Sequence, residues 1–380
     1  MTGPVDDRLR IMHGGPFDRF MDHVNMKDRG RRALLLASLC WAVPVLLLLA
    51  TGGRHVTIIF MSDWGVWAKF LIAPILLTLA ERPIGAAIDE CLSGVFKVPM
   101  VTAGSMADAR KSLQRARERA IAPLPEMVCA ALAVIATLVN VVTFINGNPP
   151  AWAVSDGGLS SAGTWSLVVG NTIYWFLLTR LVWKHVVWWG FLNALGRCRL
   201  RLVVTHPDGH GGIGFVASYL AGYGLFTLAA SSVLAAGLGH VMQRQEVTPA
   251  LFSMVCASWL SVVAIYFAAP LVTLGAQVSR LKRETINLST KIAADFERAE
   301  ERRMLGRNAV DDKAEDGACA EDVRDVKPLY LAALNTSALL LNKKNVIPAL
   351  LPALLPLLVT GAAFLPYSEL GPIVKRLLLL

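Results

Sequence analysis

The sequence predicts an all-α fold: a polytopic transmembrane helical bundle of about seven spans with a cytoplasmic helical extension. Three observations predict it. Hydrophobic residues make up 54% of the 380 residues and charged residues only 17%, against roughly 25% in soluble domains. Charge is absent from several stretches of about 20 residues, the length that crosses a hydrocarbon core of ~30 Å, and is crowded between them. The basic residues also alternate. Segments 1–32, 89–122, 193–211 and 279–345 hold 29 of the 37 Lys and Arg, whereas 52–65, 147–164, 239–249 and 367–380 hold 4. The positive-inside rule then puts the N-terminus in the cytoplasm and the loops 52–65, 147–164 and 239–249 outside. This pattern excludes an ordinary soluble enzyme, a disordered chain and a small secreted scaffold. The net charge of +9 reads as basic loops meeting anionic lipid, with no nucleic-acid partner.

The spans are read at 33–51, 66–88, 123–146, 165–192, 212–238, 250–278 and 346–366. The first follows a basic tail, 1–32, and no small-residue cleavage site comes after it, so it is read as a span and not a cleaved signal. The second ends in Glu81 and Arg82. Glu81 lies about 22 Å from the outer end at 1.5 Å per residue. The fourth carries Arg180, Lys184 and His185, with Arg180 about 21 Å from its outer end. Equal depth predicts a Glu81–Arg180 contact. Arg82, one residue on, points about 100° away from Glu81. Intramembrane ionisable groups face a partner or a cavity. These five residues are therefore the candidate ion pathway, weighed against a buried pair that merely orients two helices. Trp188 and Trp189 on the fourth span read as an interfacial aromatic belt.

Before the fifth span comes Thr205-His206-Pro207-Asp208-Gly209-His210-Gly211-Gly212-Ile213-Gly214-Phe215, preceded by Arg197, Arg199 and Arg201. Three readings compete. His206, Asp208 and His210 form a weak ligand cluster without an HExxH pattern, so no metal site is assigned. Arg197, Arg199, Arg201, His206, Asp208, His210, Gly211 and Gly212 are candidate contacts to an anion or lipid phosphate at a helix N-terminus. The third reading is structural: Asp208 caps a helix and the glycines permit a tight turn. The fifth span is rich in Ala, Gly and Ser from Ala217 to Gly237, which permits close helix approach. A pore lining of small residues is the alternative.

Residues 279–305 lack Pro and Gly and are rich in Arg, Glu, Lys and Ala, which predicts that the sixth span continues as a long cytoplasmic helix. Residues 306–327 read as a flexible acidic linker. In the seventh span Pro348, Pro352 and Pro356 fall on one helical face, and the segment either crosses or re-enters. The tail, with Lys375 and Arg376, is suited to the interface. The six cysteines are scattered, without a Cys-x-x-Cys. They suggest neither a disulfide framework nor a zinc site, and no cofactor is implied.

Three strings resemble an uncharacterised family of bacterial polytopic inner-membrane proteins. One is Leu200-Arg201-Leu202 followed by the Thr-His-Pro-Asp-x-x-Gly-Gly-x-Gly-Phe motif at Thr205 to Phe215. Another is Ala80-Glu81. The third is the close near Leu351 to Leu358 with the Lys375-Arg376 tail. Together they cover most of residues 66–380. The resemblance implies a bacterial inner-membrane, multi-pass chain and carries no activity. In that family a proline directly follows the Ala-Glu pair. Here Arg82 intervenes, setting a second cation beside Glu81.

The leading functional expectation is a transport protein, a channel or passive permease for small ions with anions favoured by the arginines. No Gly-x-x-x-x-Gly-Lys-Ser/Thr string is present to drive it. The alternative is a membrane-anchored sensor or scaffold that docks a cytoplasmic protein partner through 279–345. A lipid-directed enzyme with His206 as base and Asp208 orienting it lacks a nucleophile motif such as Gly-x-Ser-x-Gly, and no catalytic residue is assigned. Membrane lipids are the implied partners, and the small-residue fifth span allows a homo-oligomer.

Overall fold

The computed structural model describes residues 11–12, 14–98, 100–147, 149–155, 158–310, 325–366, 371–372 and 375. A short helix, α1 (Pro16–His23), precedes α2 (Arg29–Thr51), α3 (Gly53–Met61), α4 (Trp64–Lys97), α5 (Ala103–Ile121) and α6 (Pro123–Asn146). Next comes α7, which runs from Ser161–Trp165 through a π-helical turn at Ser166–Gly170 into Asn171–Leu195. A 3₁₀ segment, Gly214–Tyr223, leads into α8 (Gly224–Arg244). The chain closes with α9 (Pro249–Leu305), α10 (Lys327–Asn335) and α11 (Lys343–Phe364). Among the described residues the strands amount to one small hairpin, Val154–Ser155 with Gly158–Leu159.

Among the described residues six helices are long and apolar enough to cross a membrane: α2, α4, α6, the 3₁₀ segment with α8, α9 and α11. The predicted fourth span, α7, is as long, but Arg180, Lys184 and His185 lower its apolar content. It packs against α4, α5 and α6 in the midst of the others. The chain is therefore an all-α, multi-pass membrane bundle of about seven spans. We call the side holding Arg29, Pro123 and Lys343 the near side, and the side holding Thr51, Trp64 and Phe364 the far side.

Several boundaries differ from the sequence reading. The fifth span does not begin as an α-helix at 212. Gly212 has φ +94° and lies in a loop, residues 214–223 are 3₁₀, and regular helix starts at Gly224. The seventh segment crosses without a break, since Gly224 meets the carbonyl of Pro348 on the near side and Trp64 stacks on Phe364 on the far side. It packs along α8 over its length. Thr227 and Ser231 donate to the carbonyls of Ala349 and Ala353, and Thr360 donates to that of Ala235. Hydroxyls that bridge helices in this way tie α8 to α11 in a medium without water. The sixth span does run on without interruption from Pro249 to Leu305, through a 3₁₀ turn at Ala269–Leu271. Most of the 306–327 linker and of the tail beyond 366 lies outside the described residues.

The loop 89–122 holds α5, an amphipathic helix. Ala109, Leu113, Ala116 and Ala120 are buried at helical spacing while Arg110, Lys111, Arg115 and Arg117 are exposed. That stripe packs α5 on α7. On the far side Asp63 gathers the loops. Its carboxylate accepts from Gly65 N (2.8 Å), Trp152 Nε1 (2.9 Å) and His240 Nε2 (3.0 Å). Burial pushes the Asp63 carboxyl up, but the hydrogen bonds from His240 and Trp152 outweigh it and hold it below the ordinary range.

The small residues of the fifth span act as contact surfaces. A Cβ on Gly222 would lie 2.6 Å from the Pro83 carbonyl oxygen and 3.0 Å from Ile84 Cα. Both obstacles are backbone of α4 and cannot swing aside. Gly222→Ala is expected to cost about 1–3 kcal/mol by overpacking, read as a lower unfolding midpoint in detergent. An unchanged midpoint would mean that the 3₁₀ segment is not held against α4.

Candidate functional site

Helices α4 and α7 run parallel, in a register that a few contacts define. A Cβ on Gly170 would touch the Phe70 ring at 2.9 Å, and further along Glu81 meets Arg180. Both helices have a π-helical turn near this level, at Trp67–Ile72 and Ser166–Gly170, and α2 has one at Ser38–Ala42. Cys40, in the α2 turn, points its sulfur at the Gly170 carbonyl. Such turns leave the regular ladder and are often found at functional sites.

Arg180 is the centre of the site. It is 1% exposed, and each arm of its guanidinium meets a different carboxylate. Nε donates to Glu126 at 2.9 Å, Nη2 donates to Asp18 at 2.7 Å, and Nη1 donates to Glu81. Glu81 comes from α4, Glu126 from the first turn of α6, and Asp18 from α1. Three nitrogens in a rigid planar fork can hold three carboxylates, where a lysine ammonium would act as a point charge. The Phe17 ring sits 4.8 Å from Arg180 Cζ and covers the group. Lys184, one turn on, is 3.6 Å from Glu81 and donates to the Met12 carbonyl at 3.4 Å.

Asp18 also binds a second guanidinium. Arg32 Nη1 is 2.8 Å from its other oxygen, and Arg32 Nη2 reaches Asp22 at 2.7 Å. Asp18 is buried, which pushes its carboxyl up, but Arg180, Lys184 and Arg32 outweigh that and hold it below the ordinary range. Beside this network opens a near-side cavity of about 420 Å³, lined by Asp18, Asp22, Lys27, Arg29, Arg32 and Arg82 among others. Arg82 is exposed and faces this cavity, not Glu81.

The depth of the cluster follows from the helices that surround it. Glu126 is one turn inside α6, so the site lies at the near ends of the shorter helices. Beyond it α4 continues to Lys97 and α7 to Leu195, each by a further ~22–24 Å at 1.5 Å per residue. That overrun corrects the aromatic-belt reading. Trp188 is 0% exposed, packed on Phe191 and Tyr219 in the near-side core, while Trp189 is 39% exposed. His185 is buried in the same layer. Its Nε2 faces the Tyr266 carbonyl at 3.1 Å, its Nδ1 faces the Tyr223 hydroxyl at 3.0 Å, and its ring stacks on Tyr266 at 4.0 Å. A carbonyl only accepts, so Nε2 carries the proton and Nδ1 accepts from the hydroxyl.

The glycine motif is organised by Asp208. Its Oδ1 accepts from the amides of His210 (2.8 Å) and Gly212 (3.0 Å), and its Oδ2 from Gly214 (3.0 Å). His206 Nδ1 lies 2.9 Å from Oδ1. His210 Nδ1 is hydrogen-bonded to the Ser337 carbonyl. Gly209, Gly211 and Gly212 all have positive φ, between +67° and +94°, a conformation that favours glycine. The amides that an external anion would need are thus already used by a carboxylate of the chain. Arg197, Arg199 and Arg201 are exposed and lie beyond the end of α7, about 22 Å or more along the axis from Arg180. The structure does not bring these three together with Arg180 in one passage.

Several members of the site were missed in the sequence. Glu126 is the one charged residue in its span, which was a usable signal. Asp18 and Arg32 sit in the basic tail and gave none. Lys69 is the fourth missed residue. It lies in the π-helical turn of α4, and its ammonium is 5.6 Å from the centre of the Tyr174 ring. Tyr174 is about one turn closer to Arg180 than Gly170 is, so the Lys69 side chain runs inward instead of snorkelling to the far surface. Among the described residues no carboxylate pairs with it.

No protein-family model, curated protein or solved structure matches the chain. Among the described residues no three His, Cys, Asp or Glu side chains gather as a metal site would require.

Proposed function

We propose that this chain is a bacterial inner-membrane transport protein, a channel or passive permease for small anions, with its N-terminus in the cytoplasm. One observation carries the reading: Lys69, Arg180 and Lys184 follow one another along the parallel seam of α4 and α7, and among the described residues no carboxylate pairs with Lys69. A cation inside a membrane costs about 2.5–3.5 kcal/mol at the centre on insertion scales. A counter-ion that arrives from solution recovers part of that cost. Lys69 is then the station in the far half of the membrane, and the Arg180 network with its three carboxylates is the closed near gate.

The test is ion flux through purified protein in liposomes, with chloride, potassium and protons compared. Chloride flux above potassium flux is expected, falling about tenfold in Lys69→Gln, the effect of ~1.4 kcal/mol on a barrier. Equal leak of both ions, or a Lys69→Gln chain that conducts like the parent, overturns the reading.

A second reading rests on the near-side extension of α9, where Leu288, Ile292, Met304 and Leu305 are exposed. Exposed apolar residues on a helix suit a docked protein partner, as a sensor or scaffold would need. Specific capture of one protein by the full chain, lost in Leu288→Glu, would favour it.

A further inference from the structure

We propose that Arg180 and Arg32 form a binding site for a small planar oxyanion of the carboxylate type, and that α1 occupies it as a tethered competitor through Asp18. The inference rests on the proposed transport reading and names the ligand and the control of its near gate. Asp18 bridges the two guanidiniums, with Oδ2 2.7 Å from Arg180 and Oδ1 2.8 Å from Arg32. One two-oxygen anion held by two guanidiniums is the geometry that planar donors recognise in carboxylates. A free oxyanion can take the same position without the helix behind it.

Displacement of Asp18 requires α1 to swing about the anchored residues Ile11 and Met12. The helix is short, Pro16–His23, and is held by both polar and apolar contacts. Glu126 Oε2 accepts the Phe17 amide at 2.7 Å, and Lys184 reaches the Met12 carbonyl just before it. The apolar hold of the helix itself comes from buried Met21 and from Phe17 against Phe176 at 5.3 Å, and Ile11 and Met12 just before it are buried in the core, while Phe20 on the outer face is 61% exposed. The network next to the adjoining cavity gains one net positive charge once Asp18 leaves. Lys27, Arg29, Arg32, Arg82, Arg180 and Lys184 then face Asp22, Asp28, Glu81 and Glu126. A monovalent oxyanion restores the charge that Asp18 supplied.

The experiment follows α1 directly. Met21, 5% exposed, is changed to cysteine as a reporter. Cys319 is changed to serine, and the five other cysteines are buried. The full chain in lipid nanodiscs is treated with a membrane-impermeant maleimide while formate replaces chloride at constant ionic strength. Formate is expected to speed labelling of Met21→Cys. Adding Asp18→Asn is expected to raise the formate-free labelling rate about tenfold, as for loss of a charge-assisted hydrogen bond. Adding Arg32→Gln is expected to remove the formate dependence. A labelling rate that formate does not alter overturns the site, and this arm needs only the reporter chain to fold. Flux separates the two proposals. Formate-dependent labelling with no flux from the parent or the Asp18→Asn chain keeps the site and sinks the transport reading. Flux that neither formate nor Asp18→Asn changes keeps transport and sinks the site.

Discussion

Replacing Arg180 by leucine is expected to destabilise the folded chain by about 3–5 kcal/mol, the cost of breaking a buried ion network by removing one partner. Arg180 is one cation among three carboxylates, from Glu81, Glu126 and Asp18. Without it Glu81 keeps Lys184 nearby, Asp18 keeps Arg32, and Glu126 keeps the Phe17 amide and the more distant charges of Lys184 and Arg19. Three carboxylates in a dry site repel one another as well as losing solvation. Arg180→Lys is expected to recover only part of the loss, because an ammonium lacks the planar fork that reaches three directions. Combining Arg180→Leu with Glu81→Gln and Glu126→Gln is expected to recover more, because it removes the stranded charges. Unfolding midpoints in detergent for the four chains check this order. A loss below about 1 kcal/mol for Arg180→Leu, the size of an exposed ion pair, would show that water reaches the cluster.

The second large effect is expected at the glycine motif. Asp208→Ala is expected to cost roughly 2–3 kcal/mol, since it strands amides that a charged acceptor had satisfied. Burial pushes the Asp208 carboxyl up, but hydrogen bonds from the amides of His210, Gly212 and Gly214 outweigh it and hold it below the ordinary range. The sign of the pH dependence follows. The native state binds the Asp208 proton less tightly than the unfolded chain does. Its contribution is therefore fully present above the ordinary carboxylate value of about 3.9 and is lost as pH falls through the lower native value. The gap in stability between parent and Asp208→Ala should narrow below about pH 4. A gap that stays constant into acid would mean that the variant acts through packing and not through the carboxylate.

Both predictions involve residues that the sequence singled out, but the partners differ in how legible they were. Glu81 and Arg180 could be paired because depth along a membrane helix is a count of residues, and two parallel helices share that scale. The turn at Asp208 could be read because Asp, Pro and Gly at that spacing describe local turn chemistry, although the residue at the cap position of the following helix is Ile213. Lys69 was missed although it left a usable signal, a lysine that interrupts the second span. Asp18 and Arg32 could not be found, because a tail counted as one of several basic segments gives no sign that it folds back on the bundle.

Composition and charge order alone determined that this is an all-α membrane bundle, where most of its helices lie, and that the sixth runs on past the membrane. A lipid interior forces backbone hydrogen bonds inside each helix, so hydropathy and segment length are enough for those statements. Tertiary structure decided the rest. It drew three carboxylates from separate elements onto Arg180, buried Trp188 instead of leaving it at an interface, and turned the fifth span's glycines into contacts with α4 and α11. Those outcomes depend on which helix faces which and in what register. Local periodicity carries no record of contacts between residues as far apart as Asp18 and Arg180.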